Sequence, residues 1–143
     1  MARQVLVPMD ASPKSETALE HALREFADAT ITVLHVTNPI EDTYMTGEED
    51  FMTDFEALEE RSREEAETIL SNAKATAEAH GVDISTERAF GPPASKIVEF
   101  AEEHGFDHIV LGSHGRSGLA RLFLGSVAEK VARRAPVPVT IIK

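Results

Sequence analysis

Short runs of β-branched residues alternate with longer helical patterns along all 143 residues of the chain. The run QVLVPMD is apolar from Val5 to Val7, as expected of a strand that is buried on both faces of a sheet. The later runs ITVLHVT, VDISTERAF, HIVLGS and VPVTIIK are also typical of strands. Because strands that alternate with helices form parallel sheets, this pattern restricts the chain to an α/β fold.

Four helical segments separate these five strands. Ser12 and Pro13 supply an N-cap and a first helical residue for helix 1. Gly81 can end the long helix 2, which begins near residue 55. Pro92–Pro93 introduces helix 3, and Gly105 closes it. A helix of about ten residues precedes the last strand.

The composition of the strands predicts their order. Strand 3 alternates between apolar and polar residues and strand 5 carries prolines, so both belong at the edges of the sheet. Strands 2, 1 and 4 are the most apolar and fill the middle. With right-handed crossovers, the prediction is a flavodoxin-like (Rossmann-like) open parallel sheet of order 3-2-1-4-5 with helices on both faces. The length and the 42% hydrophobic content suit a single domain over residues 1–143.

The overall composition excludes several classes of protein. A formal net charge of −11 argues against a general nucleic-acid binder, whose surface would be basic. No apolar stretch is long enough to span a membrane, and the start MARQVLVP lacks the pattern of a signal peptide. The absence of cysteine excludes disulfides and thiolate metal sites. These features predict a cytoplasmic protein without a membrane or nucleic-acid partner.

The charge is unevenly distributed along the chain. Residues 41–67 contain twelve acidic residues and two arginines, whereas residues 112–143 contain six basic residues and one acidic residue. We interpret the acidic run mainly as a solvated helix face. The acidic connector from Asn38 to Thr53 is long for a compact domain. We expect it to be mobile without ligand, and its position after strand 2 would let it cover the end of the sheet.

The stretch GSHGRSGLARLFLGS, residues 112–126, contains four of the eight glycines. It follows strand 4, where the reversal of strand order between strands 1 and 4 opens a crevice at the carboxyl end of the sheet. It contains neither a Walker A motif nor a GxGxxG motif. Small residues at both ends of the stretch would let main-chain N–H groups face one anion, assisted by the helix that follows.

Three residues of this stretch have more than one interpretation. Ser126 opens the run SVAE, which matches a capping box with Glu129, and such a cap is compatible with anion binding. His114 is a lone loop histidine without an evident catalytic partner. Arg116 either is solvated or touches a phosphate.

The stretch matches G-x2-G-x9-G-[ST] without a gap, and in this it resembles the ATP signature of the universal stress protein family. The resemblance covers the whole chain. The segments VLVPMDASPKSETALEHAL, TVLHV and GPPASKIVEFAEEHGFDHIVLGSHG are similar to the family's opening unit, second strand and fourth strand region. The resemblance implies that the chain is a nucleotide-binding protein of the stress response and that its ligand is ATP.

The resemblance also implies roles for particular residues. Asp10 corresponds to an aspartate on the adenine and ribose side, and Val36 to a position whose main chain reads the adenine edge. The positions around the ribose and phosphates correspond to Gly112, Gly115, Gly125, Ser126 and Val127. Neighbouring residues complete the candidate nucleotide site: Pro8, Ala11, Ser113, His114 and Arg116.

The rival class is an enzyme of the same architecture. The related ATP pyrophosphatases carry an SGGxDS loop after strand 1, which MDASPKS does not supply. The chain shows no paired carboxylates and no nucleophile with a nearby base. Asp10 is a lone acid that could act at most through water or a phosphate-bound Mg²⁺, since the protein alone offers no metal site. Slow ATP hydrolysis therefore stays open as the alternative to a purely regulatory role.

The last strand predicts self-association. Pro136 and Pro138 are two residues apart, so both lie on one edge of strand 5, which we expect to face away from strand 4. Thr140 and Ile142 would share that outward edge and keep their N–H groups. An uncovered apolar edge invites pairing with another chain. Together with the family resemblance, this predicts a homodimer through the C-terminal strand.

Overall fold

The computed structural model describes residues 2–38, 55–113 and 124–143. This part of the chain forms one parallel sheet with the strand order β3-β2-β1-β4-β5, which confirms the predicted order. The elements in chain order are β1 (Gln4–Pro8), α1 (Pro13–Glu25), β2 (Thr30–Thr37), α2 (Phe55–Ala79), β3 (Ile84–Phe90), α3 (Pro93–Glu103), β4 (His108–Gly112), α4 (Ser126–Arg134) and β5 (Val139–Ile142).

Helices cover both faces of the sheet, as predicted. Val5 and Val7 pack beneath α1 and α2, whereas Leu6 between them packs beneath α3 and α4. All three side chains are fully buried, which is why β1 reads as a continuously apolar run. In contrast, β3 alternates between half-buried and exposed residues along its length, as expected of an edge strand.

The predicted helix boundaries at Ser12, Pro13, Gly81 and Gly105 are confirmed. The Ser12 hydroxyl oxygen accepts the Ser15 N–H at 3.2 Å, and Pro13 is the first residue of α1. Gly81 and Gly105 follow α2 and α3 with φ values of 71° and 65°, a left-handed conformation that glycine adopts without strain.

The predicted orientation of β5 is wrong. The Ile109 N–H donates to the Pro138 carbonyl at 3.0 Å, and the Ser113 N–H donates to the Ile142 carbonyl at 2.8 Å. Because alternate residues of a strand direct their backbone groups to the same side, Pro138, Thr140 and Ile142 all face β4. Pro138 can do so because it lies before the first residue of β5, where a missing N–H costs no ladder bond. The outward edge therefore belongs to Val139 and Ile141.

Two predictions lie outside the described residues. One is the mobility of the connector, which is described only at Asn38. The other concerns His114, Gly115 and Arg116 in the middle of the glycine-rich stretch. Within the described ranges, no helix is both long enough and apolar enough to cross a membrane.

Candidate functional site

A tight turn follows the central strand β1. The Met9 N–H still bonds the Leu34 carbonyl of β2 at 2.9 Å, which extends the pairing by one residue. The Asp10 carboxylate oxygen Oδ1 then accepts the Ser12 N–H at 3.0 Å, and Ala11 between them has a φ of 71°. This turn leads the chain directly into α1 and holds Asp10 at the carboxyl end of the sheet.

The N-terminus of α1 is occupied by side chains of its own first turn. Besides the bond from Ser15 N–H to the Ser12 hydroxyl, the Ser15 hydroxyl donates to the Ser12 carbonyl at 2.9 Å. Both serines are buried. Since Asp10 and Ser12 accept hydrogen bonds from the donors at this helix start, α1 is poorly suited to bind an external anion.

Gly112 allows β4 to approach α1 closely. A Cβ atom at this position would lie 2.7 Å from the backbone carbonyl carbon of Lys14 and 2.9 Å from its oxygen. Neither backbone atom can move away without shifting the start of α1. Packing between β4 and α1 is therefore sufficient reason for the first glycine of the stretch.

The two ends of the glycine-rich stretch meet at the end of β4. The Gly125 N–H donates to the Ser113 carbonyl at 2.6 Å, while the Ser113 N–H is held by the Ile142 carbonyl of β5. Ser113 is only 2% exposed. These bonds fix the start of α4 next to the carboxyl end of β4, where the sequence predicted a crevice.

The predicted capping box at the start of α4 is wrong. Gly125 is the N-cap with φ −63° and ψ 157°, and the helix begins at Ser126 without a side-chain cap. Glu129 is therefore the fourth helical residue and cannot reach back as a capping-box glutamate does. Its carboxylate instead pairs with the Arg133 guanidinium at 2.8 Å. Among the described residues, no side chain caps α4.

Val36 lies at the carboxyl end of β2, where β2 continues beyond β1. Its neighbour His35 is 4% exposed, and the His35 Nδ1 lies 2.8 Å from the Met9 carbonyl oxygen. Because a carbonyl only accepts hydrogen bonds, Nδ1 carries the proton and donates. The sequence analysis did not identify His35. The signal that could have found it is a histidine within the strand run TVLHV, whose neighbours Leu34 and Val36 are apolar.

The predicted site residues converge at the carboxyl ends of β1, β2 and β4, which are neighbouring strands. The described residues at this edge are Pro8, Asp10, Ala11, Val36, Gly112, Ser113, Gly125, Ser126 and Val127. Across the described ranges, no group of three or more His, Cys, Asp or Glu side chains is arranged to hold a metal ion.

The fold and this edge define an α/β protein whose strand order reverses between β1 and β4, the place where open parallel sheets bind ligands. The family model described as "Universal stress protein family" matches residues 1–143, and the chain belongs to that family. One relative is the universal stress protein MJ0531 of Methanocaldococcus jannaschii. It is 38% identical over 144 residues, which cover 99% of this chain and 82% of the relative.

Solved structures agree with the fold. The structure of MJ0577, also from Methanocaldococcus jannaschii, has a TM-score of 0.81 and 32% identity, and the match covers 100% of this chain and 96% of that one. A universal stress protein in complex with cAMP has a TM-score of 0.72 and 28% identity, with 99% and 97% of the two chains covered.

Proposed function

We propose that this chain is a cytoplasmic regulatory protein of the stress response that binds ATP at the carboxyl ends of β1, β2 and β4. The nucleotide acts as a ligand that biases the conformation or the partners of the protein. A solved relative in complex with cAMP supports an adenine nucleotide as the ligand class. The observation in this chain that carries the proposal is the start of α4.

The start of α4 has the properties of an anion site at the position where a nucleotide phosphate would lie. Gly125 supplies no side-chain cap, and its N–H is fixed by the Ser113 carbonyl at 2.6 Å. The N–H groups of Ser126 and Val127 then point out of the helix start, where the helix dipole favours negative charge. The neighbouring helix start at α1 is filled by its own side chains, which leaves α4 for the phosphates.

The base and ribose occupy the other side of the crevice. Asp10 follows β1 in the chain. Val36 lies on the neighbouring strand β2, beyond Leu34, which is the last β2 residue that pairs with β1. Asp10 faces the ribose in this arrangement, and the main chain of Val36 reads the adenine edge. Any Mg²⁺ would be carried by the phosphates near Asp10, with the protein supplying at most this one carboxylate.

Gly125→Asp tests the phosphate side of the proposal. Its extended backbone conformation suits an aspartate N-cap, whose carboxylate would bond the same N–H groups that a phosphate needs and would repel the phosphate. We expect an unchanged or higher melting temperature and a loss of ATP affinity of at least about 100-fold, which corresponds to roughly 3 kcal/mol. Isothermal titration calorimetry and thermal melts measure the two effects.

Ser95→Asp is the matched control. Ser95 lies in the first turn of α3, which also lacks a side-chain cap but follows the edge strand β3 rather than the central strand β4. This variant adds the same charge to the first turn of another helix and should bind ATP as the wild type does. A folded Gly125→Asp variant with wild-type ATP affinity would refute the site. Release of phosphate from ATP by the wild-type protein, measured in the same samples, tests the hydrolysis alternative.

We also infer a homodimer that pairs through the outward edge of β5. All four residues of β5 are only partly buried, and the strand ends the sheet. Val139 and Ile141 direct their backbone groups away from β4, so they are the residues that an antiparallel partner strand would meet.

A further inference from the structure

The hydrogen-bond ladder between β1 and β2 stops one bond early. The Thr30 N–H donates to the Arg3 carbonyl at 2.8 Å, and the pairing continues in register to Pro8 and Leu34. The Met9 N–H then bonds the Leu34 carbonyl. In a parallel ladder of this register, the next bond would join the Val36 N–H to the Met9 carbonyl.

The side chain of His35 takes the place of that bond. Its Nδ1–H donates to the Met9 carbonyl at 2.8 Å. Among the described residues, Val36 has no backbone partner on β1. His35 is only 4% exposed, so its ring is enclosed by the surrounding structure. At the end of the ladder, the Met9 carbonyl thus accepts the His35 side chain, and no bond from the Val36 N–H to this carbonyl is present.

As a consequence, neither the N–H nor the carbonyl of Val36 has a backbone partner on β1 in the part of the chain that the structure describes. Thr37 accepts the Gly91 N–H of β3, so the backbone groups of the alternate residue Val36 face the other way, towards the side of β1. Both the N–H and the carbonyl of Val36 then lie where β1 has already turned into α1. A donor beside an acceptor is complementary to adenine, which presents a ring-nitrogen acceptor beside an amino donor. Guanine presents the reverse pattern on its corresponding edge.

We infer that His35 is a positioning residue that keeps the Val36 N–H open to the base, and that it thereby makes the site selective for adenine over guanine. This inference rests on the proposed nucleotide site. Without the imidazole, the Val36 N–H closes onto the Met9 carbonyl and lengthens the ladder by one bond. The Val36 N–H is then no longer available to the adenine ring nitrogen, and the preference of the site for adenine over guanine is lost.

His35→Leu and His35→Asn test the inference with AMP and GMP as probes. The asparagine amide can donate from nearly the same position as Nδ1, whereas leucine cannot donate. We expect His35→Leu to lower AMP affinity by about tenfold with little effect on GMP, the loss of one hydrogen bond to the base. His35→Asn should restore most of the preference for AMP. Equal losses for AMP and GMP in His35→Leu, or no rescue by His35→Asn, would overturn the inference.

Amide exchange of Val36 in the nucleotide-free protein provides an independent readout. By NMR-detected hydrogen exchange, the Val36 amide should exchange quickly in the wild type and in His35→Asn, and at least about tenfold more slowly in His35→Leu. A protected Val36 amide in the nucleotide-free wild type would overturn the inference without any variant. Failure of the wild type to bind AMP would instead refute the nucleotide site, and the exchange rates would still decide what His35 does.

Discussion

Ala11 is the one non-glycine residue with a positive φ in the described part of the chain, at 71°. It lies between Asp10, which accepts a bond from Ser12, and the start of α1. A left-handed conformation costs an L-residue roughly 1–2 kcal/mol. Such strain persists only where the surrounding structure imposes it, and here it accompanies the turn that holds Asp10 at the crevice.

Ala11→Gly should therefore stabilise the protein by about 0.5–1 kcal/mol. Glycine removes the strain of the left-handed conformation but loses more conformational entropy on folding, so the net gain is smaller than the strain itself. Urea denaturation measures the change. Ala75→Gly, at an exposed position inside α2, is the contrasting control and should destabilise by about 1 kcal/mol. Destabilisation by both variants would show that the turn does not strain Ala11.

His108 lies at the start of β4, at the opposite end of the sheet from the crevice. Its Nε2 is 2.7 Å from the Thr140 hydroxyl oxygen, and its ring packs against Phe26 with 5.0 Å between ring centres. Burial lowers the pKa of His108 below its ordinary value of 6.5, and the charges of Arg3 and His21 lower it further. The folded protein therefore holds this imidazole neutral at a pH where the unfolded chain protonates it.

The free energy of unfolding should consequently decrease as the pH falls below about 6.5, because the unfolded state then binds a proton that the folded state does not. Chemical denaturation between pH 7.5 and 5.5 measures this slope. His108→Gln should flatten it, because this variant removes the imidazole whose pKa is lowered in the folded protein. Parallel slopes for the wild type and His108→Gln would contradict the assignment.

At the level of whole elements, hydrophobic patterning was sufficient to predict the fold. Val5–Val7 reads as a strand buried on both faces, whereas Ile84–Phe90 reads as a strand with one exposed side, and these are a central and an edge strand of the sheet. The pattern reports burial directly, and burial decides the order of strands in a parallel sheet. The order in turn gives the point between β1 and β4 where it reverses, and this is where we propose the nucleotide site.

Features that depend on the exact start of a helix, or on which side of a strand a residue faces, were not predictable from the sequence. Taking Ser126 as the N-cap of α4 led to a capping box, but the helix starts one residue earlier at the cap Gly125, so Glu129 pairs with Arg133. Spacing alone likewise could not determine which side of β5 carries Pro138. In both cases the backbone conformation of a single residue fixes the register, and the residue types are compatible with either choice.

Gly112 shows a different limit of sequence reasoning. Its place in the glycine-rich stretch indicated contact with a ligand, yet a Cβ there would collide with the backbone of Lys14. Close packing of the backbone and close approach of a phosphate both require glycine, so the sequence alone does not distinguish these two roles. His35 was missed for a related reason: its role depends on the Met9 carbonyl, which lies 26 residues away along the chain.

For the whole molecule, the two edge strands of the sheet differ in how well they suit pairing with a strand of another chain. The β3 edge carries Glu87 and Arg88, and the Arg88 guanidinium stacks over the Phe90 ring at 4.6 Å. Charged side chains of this kind discourage pairing with another strand. The β5 edge carries Val139 and Ile141 and no charged residue within the strand. This asymmetry favours association through β5 rather than through β3.

Ile141→Pro should convert the proposed dimer into a monomer of 15.6 kDa. The Ile141 N–H points away from β4, so its loss removes a bond to a partner strand but none of the ladder within the chain. Static light scattering measures the mass, and a circular dichroism spectrum checks that the sheet remains. Ile141→Ala is the control, because it truncates the side chain and keeps the N–H, and we expect it to remain dimeric. Thr140→Pro would instead break the bond between β5 and β4 and should destabilise the fold itself. A mass of twice 15.6 kDa for folded Ile141→Pro would place the interface on another surface.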